Sequence, residues 1–194
     1  MLNNSKILDV LTPLSDFHRN VVKIKNKDAF SIEPGYWAKI TNDGLTNFDF
    51  GVQPGDPIPN GNEGLEAMCL NRAKGANHVD HEYEANDGKV GYIAVTRVPG
   101  IRVLAGSDYF CDVEGGNEGD YFDETSPNRL EPGNALAPFT IADHVTDPDY
   151  TKARIGKLRK VVSGSYSGIA NAVIEHVDYK NKTVIYEIQY FTIQ

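Results

Sequence analysis

Reactive and basic side chains are scarce in this sequence. Two cysteines, Cys69 and Cys111, in 194 residues are too few for a disulfide framework. The opening MLNNSKILDVLTPLSDF has neither a basic start nor a continuous apolar stretch, so no secretion signal is expected and the two thiols are expected to stay reduced. Nineteen Lys and Arg face 27 Asp and Glu, a net charge of −8. Binding nucleic acid through phosphates needs a basic face, so no nucleic-acid partner is expected. Apolar runs are only a few residues long, so no segment reads as a membrane span. One Trp and two Met against ten Tyr and eight Phe favour strands over helix bundles.

What the chain does have is 40% hydrophobic residues, enough for one sizeable core, with 18 Gly and ten Pro to turn it. In Ser31–Leu45, SIEPGYWAKITNDGL, the single Trp37 follows a Pro34-Gly35 corner. The strand it opens runs to an Asn42-Asp43-Gly44 turn, where Gly accepts positive φ without cost. Gly51–Gly64, with three prolines and four glycines, is a loop. Leu65–Leu70 is apolar but too short for its period to separate helix from strand. GYIAVTRV at 91–98 reads as a strand, turned by Pro99-Gly100 into Ile101–Leu104, and Tyr109–Val113 as another short one. Ahead of all this, Ile7, Val10, Leu11 and Leu14 show helix-like spacing cut by Pro13. Val21, Val22 and Ile24 alternate with Lys23, Lys25 and Lys27.

Residues 105–150 hold eleven acidic residues and one basic one, Arg129. This low apolar content predicts a long, exposed excursion rather than a core element, of the length that is either functional or disordered. The composition then reverses through Lys152, Arg154, Lys157, Arg159 and Lys160. After a Ser163–Gly168 turn the chain closes with strands Ala172–Val177 and Thr183–Ile193, joined by Asp178–Lys182. In the last strand Val184, Tyr186, Ile188 and Tyr190 share one face, and Glu187 and Gln189 the other. The pattern predicts an all-β, mainly antiparallel fold. Its body would be a small β-barrel or sandwich at 31–194, one domain, with an extended N-terminal arm at 1–30 and 105–150 as a long acidic loop insertion. Trp37 is expected in the core where the arm joins the body, since Trp buries a large area while its N–H needs one partner.

Signals for chemistry are thin. Asn77–Glu84, NHVDHEYE, gathers His78, Asp80, His81 and Glu82, types that bind zinc. The order is not HExxH, and no distant ligand is obvious among His18, His144 and His176. A metal-dependent hydrolase at His78, His81 and Glu82 stays the weakest of three readings; the bland one is a polar surface patch. Gly164-Ser165-Tyr166-Ser167-Gly168 puts Tyr166 where a nucleophile elbow needs Ser, with no helix following. Neither a catalytic residue nor a cofactor is expected, and the protein is read as not an enzyme.

Two blocks resemble the head-decoration, or cement, proteins of tailed bacteriophages. One is GYWAKITNDG at 35–44. The other is ARIGKLRKVVSGSYSGIANAVIEHVDYKNKTVIYEIQYFTI at 153–193, a strand, a glycine-rich turn, an AVIE strand, a turn and a final strand. The resemblance implies a structural protein of the virion that binds the outer capsid surface, after assembly in the host cytoplasm. It would bridge subunits of the major capsid protein, itself as a homo-oligomer with a trimer favoured. Phe17, Arg19, Val21, Val22, Lys23 and Ile24 of the arm, with Arg154, Lys157 and Arg159, are then the candidate partner-binding residues. The arm is expected to pack on the parent domain or on a neighbouring subunit, and on the capsid reading to add a strand to an exposed sheet edge and to order only on the shell. The basic stretch is expected to meet either the capsid or the chain's own acidic loop. The alternative is a carbohydrate- or cell-surface-binding β-domain that uses exposed aromatics and acidic loops.

Overall fold

The computed structural model describes residues 4–12, 22–25, 34–41, 44–46, 66–69, 92–96, 99–111, 118–139, 156–164 and 168–193. Among them the fold is all-β and antiparallel in every ladder, and its helical segments are 3-10 turns of three to five residues. The strands are β1 (Leu8–Val10), β2 (Val22–Lys25), β3 (Trp37–Thr41), β4 (Gly44–Thr46), β5 (Glu66–Cys69), β6 (Tyr92–Thr96), β7 (Arg102–Gly106), β8 (Ala135–Pro138), β9 (Leu158–Val161), β10 (Gly168–Asp178) and β11 (Thr183–Ile193). They form a six-stranded sheet in the order β1-β7-β11-β10-β8-β9 and a five-stranded sheet in the order β2-β6-β5-β3-β4.

Alternation decides which side chains go inside. In β11 Val184, Tyr186 and Ile188 are buried while Glu187 and Gln189 are not, as a period of two on a half-buried strand requires. These residues join Val103, Phe110, Leu130, Leu136, Leu158 and Ile174 in one core that also takes Trp37 and Met68 from the five-stranded sheet. The two sheets therefore share an interior. Trp37 is completely buried, its backbone N–H bonded to Gly156 O at 2.8 Å. Its indole N–H lies beside the Tyr186 hydroxyl without reaching hydrogen-bond geometry. That hydroxyl donates instead to Met68 Sδ at 3.2 Å. Burial pushes the Tyr186 phenol well above its ordinary value, opposed only in part by the indole.

Of the barrel and the sandwich expected from the turns, a closed barrel is not formed among the described residues. No ladder joins β1 to β9 among the described residues, and one isolated parallel bridge, Phe110–Leu158, reaches the β9 edge. In the five-stranded sheet β2 and β4, its two edges, come within 8 Å at Cα without a ladder between them.

Three described regions differ from the sequence reading. The helix-like spacing at 7–14 is overruled, because Leu8, Asp9 and Val10 pair with Ala105, Leu104 and Val103. The ladder satisfies donors that three residues of helix before Pro13 could not satisfy internally. The middle of the acidic stretch is also no exposed excursion. Tyr121, Phe122, Leu130, Leu136 and Phe139 are buried, and β8 lies inside the six-stranded sheet between β10 and β9. Mean composition hid this, since a few well-placed apolar side chains are enough to seat a segment. Pro138 is tolerated because the ladder with β10 has ended by Leu136. Tyr109–Val113 was expected as a strand; Ser107–Tyr109 is instead a 3-10 turn that leads into the Phe110 bridge.

Candidate functional site

Two surface features of this fold could receive a partner. The first is a groove of about 610 Å³ across the outer ends of β9 and β11 and the entry to β8. Ala135, Val161, Val162, Phe191 and Ile193 give it apolar walls, and Lys160 is the one charge among its described lining residues. Val162 is 52% and Phe191 38% exposed. They sit here because each belongs to a strand end: Val162 follows the last residue of β9, and Phe191 pairs with Ala170 near the end of the β10–β11 ladder. Beneath the groove Ala137, Val161, Ala170 and Ile193 form a small second cluster, separate from the main core.

The second is a shallow pocket of about 600 Å³ at the β10–β11 turn, lined by Phe122 and Tyr179, by Asp120, Asp123 and Glu124, and by Lys180 and Lys182. Its parts are held by local hydrogen bonds. Asp123 Oδ1 accepts from Thr125 N at 2.8 Å and from Thr125 Oγ1 at 2.7 Å. These bonds, the backbone one first, hold its carboxyl below the usual carboxylate range. Asp178 closes the turn by accepting from Asn181 N and Nδ2 at 2.9 and 2.7 Å, the backbone bond again the main cause of a lowered carboxyl. The Tyr179 hydroxyl donates to Leu130 O at 2.5 Å, pinning the acidic segment to the hairpin.

No family model, no curated protein and no solved structure matches this chain. What the site can do follows from its own geometry.

That geometry separates the residues the sequence grouped together. Phe17, Arg19, Val21 and Arg154 lie outside the described residues, as do His78, His81 and Glu82. Among the described residues no three of His, Cys, Asp and Glu gather where a metal ion could sit, and no helix is long and apolar enough to cross a membrane. Val22, Lys23 and Ile24 form β2, paired with Val95, Ala94 and Ile93 of β6. The described strands of the arm, β1 and β2, thus pair within the chain's own sheets and not on a shell.

Arg159, expected on a partner-binding surface, is instead 9% exposed. It alternates with Lys160 and so shares the face of Val161 and the small second cluster. Lys157 is half-buried, and its carbonyl accepts from Phe139 N at 2.8 Å. Lys160 turns to the chain's own acidic stretch, Nζ donating to Arg129 O at 3.0 Å. The outer edge of β9 is covered in the same way. Its Leu158 O accepts from Cys111 N at 2.8 Å, and Lys160 N donates to the Tyr121 hydroxyl at 3.0 Å. A covered edge of this kind resists adventitious strand pairing. Sequence reasoning missed the groove because Val162 and Phe191 are 29 positions apart and only the ladder order brings their strands together.

Proposed function

We infer that this chain is a non-enzymatic structural protein that binds the outer surface of an assembled tailed-phage capsid and bridges subunits of the major capsid protein. The observation that carries the reading is the groove holding Val162 and Phe191. On a chain of net charge −8, it is a groove of mixed apolar and polar lining, Asn134, Ser163 and Thr192 among the polar residues, with no acidic residue in its described lining. A partner meets no carboxylate in that lining, and closing the groove over a capsid side chain removes the exposed hydrocarbon of Val162 and Phe191 from water. Each such contact is modest. Many copies on one shell, each touching more than one subunit, turn modest contacts into firm attachment. The acidic turns around Asp123 and Glu124 then face solvent and keep crowded copies apart. This protein would act as a homo-oligomer, with a trimer suited to positions between capsid subunits, on the virion exterior after assembly in the host cytoplasm. It needs no cofactor.

Sedimentation of the purified chain with and without bare capsids tests the reading. Saturable co-sedimentation that weakens about tenfold or more on Phe191→Ala is expected, the loss of one buried aromatic contact at an interface. A chain that stays in the supernatant at every capsid concentration overturns it. The hairpin-turn pocket favours a second reading as a carbohydrate- or cell-surface-binding β-domain, since the half-buried Tyr179 ring stands among three carboxylates and two ammonium groups. A glycan array separates the two, because only the second predicts a hit that Tyr179→Ala removes.

A further inference from the structure

Residues 4–12 lie along the free side of β7 as a strap. Leu8, Asp9 and Val10 form the ladder. Gly106 N donates to Ile7 O at 2.8 Å, Leu11 N to Arg102 O at 2.8 Å, and Arg102 N to Thr12 Oγ1 at 2.8 Å. The seat is shaped for this segment. A Cβ on Gly106 would fall inside van der Waals contact with the carbonyls of Asn4 and Ser5, and one on Gly35 would strike the Tyr109 ring and Leu8. Tyr109 also donates its hydroxyl to Lys6 O at 3.4 Å. Yet the strap is shallowly held. Leu8 and Val10 are only half-buried, Asp9 and Leu11 are exposed, and β1 is an edge strand. The nine residues 13–21 that connect it to β2 can span at most roughly 30 Å.

We propose that this strap is exchangeable: in a crowded array, residues 4–12 of one copy leave their own β7 and complete the β7 edge of a second copy of this chain. Every hydrogen bond and apolar contact of the strap is remade unchanged on the neighbour, so the exchange costs no contact. The balance is set by the effective concentration of the tethered segment, on the order of millimolar for a short link. The second copy supplies the strap and receives one in return, linking copies through sheet edges. Net charge −8 on each copy opposes the encounter at low ionic strength, so salt promotes it. The inference does not depend on the capsid reading, and its test contains no capsid.

The register provides that test. Because Gly106 pairs through its N–H with Ile7 and Leu11 with Arg102, Val10–Val103 and Leu8–Ala105 are the closely spaced, non-hydrogen-bonded pairs. Their Cα atoms are about 4.5 Å apart, within reach of a disulfide. A chain carrying Val10→Cys is mixed with a chain carrying Val103→Cys and oxidised, and the linkage is read by mass spectrometry. A bridge joining positions 10 and 103 of different chains is expected, with a yield rising about tenfold or more between roughly 0.05 and 1 mM chain. It should disappear when the Val103→Cys chain also carries Gly106→Val, which fills the seat. A chain with both cysteines shows by its internal bridge that the geometry permits the bond. If that internal bridge forms while the mixture gives none at about 1 mM, the proposal fails. It fails equally if the bridge between chains survives Gly106→Val. Should Val103→Cys disturb the core, the Leu8→Cys and Ala105→Cys pair gives the same readout.

Discussion

The acidic segment 118–139 and the leading segment 4–12 both look in the sequence like appendages, and the fold treats them oppositely. The first enters the interior. It contributes Tyr121, Phe122, Leu130, Leu136 and Phe139 to buried positions and a strand between β10 and β9. Two phenol hydroxyls, Tyr121 at Lys160 N and Tyr179 at Leu130 O, fasten it from both sides. The second lies on the rim, with three half-buried apolar side chains, Ile7, Leu8 and Val10, and one neighbour strand. Net charge along a segment therefore says little about its place in the fold. What matters is whether large apolar side chains recur where a strand can turn them inward.

Four measurements sharpen or break this contrast. The largest effect is expected from Leu136→Ala in β8, a loss of roughly 2–5 kcal/mol from a completely buried site. It should appear as a lower urea midpoint with unchanged slope; an unchanged midpoint would place the acidic segment outside the cooperative unit. Gly106→Val comes next, at about 1–3 kcal/mol. Its signature is local, with amide exchange speeding up at residues 8–11 while β10 and β11 stay protected. If β10 and β11 lose protection as well, the strap is no rim element. Tyr121→Phe leaves the Lys160 N–H on the β9 edge without that acceptor and should cost about 1 kcal/mol. A cost near zero would mean that β9 is not fastened by this bond.

The smallest effect is on the acid side. Asp123 and Asp178 have carboxyls lowered in the fold, chiefly by backbone N–H bonds from Thr125 and Asn181. Their stabilisation is complete above the unfolded value of about 3.9 and is lost as pH falls through the lower folded values. Wild type should therefore lose more stability than Asp123→Asn as pH falls below about 4. Parallel acid curves for the two would remove this role for Asp123.

Much of the fold was legible where alternation and turn chemistry agree. Thr183–Ile193 is a strand with the expected faces, 92–96 falls within the expected 91–98, and Pro99-Gly100 turns the chain as expected. Trp37 is a core residue. β8 was not legible because Ala135–Pro138 is short, ends in proline and lies among Gly, Asn and Glu, which read as a loop. β1 was not legible because three residues fit helix and strand periods equally, and only β7, some ninety residues later, decides between them. The groove was hidden for the same reason: its walls come from strands whose order no local pattern reveals. Arg159 misled because the residues around it are basic, whereas the pleat turns its side chain towards Val161 rather than outward.

The β10–β11 hairpin occupies the middle of the six-stranded sheet, between β7 and β8. Its closest pair, Asp178 with Thr183, is separated by only a short turn, whereas Leu8 must find Ala105. Loop closure therefore favours zippering from the Asp178–Lys182 turn, with Leu8–Val10 arriving last. During synthesis β7 emerges from the ribosome well before β11, its inner neighbour. Its outer neighbour, made earlier still, waits for a docking surface that only the late strands complete.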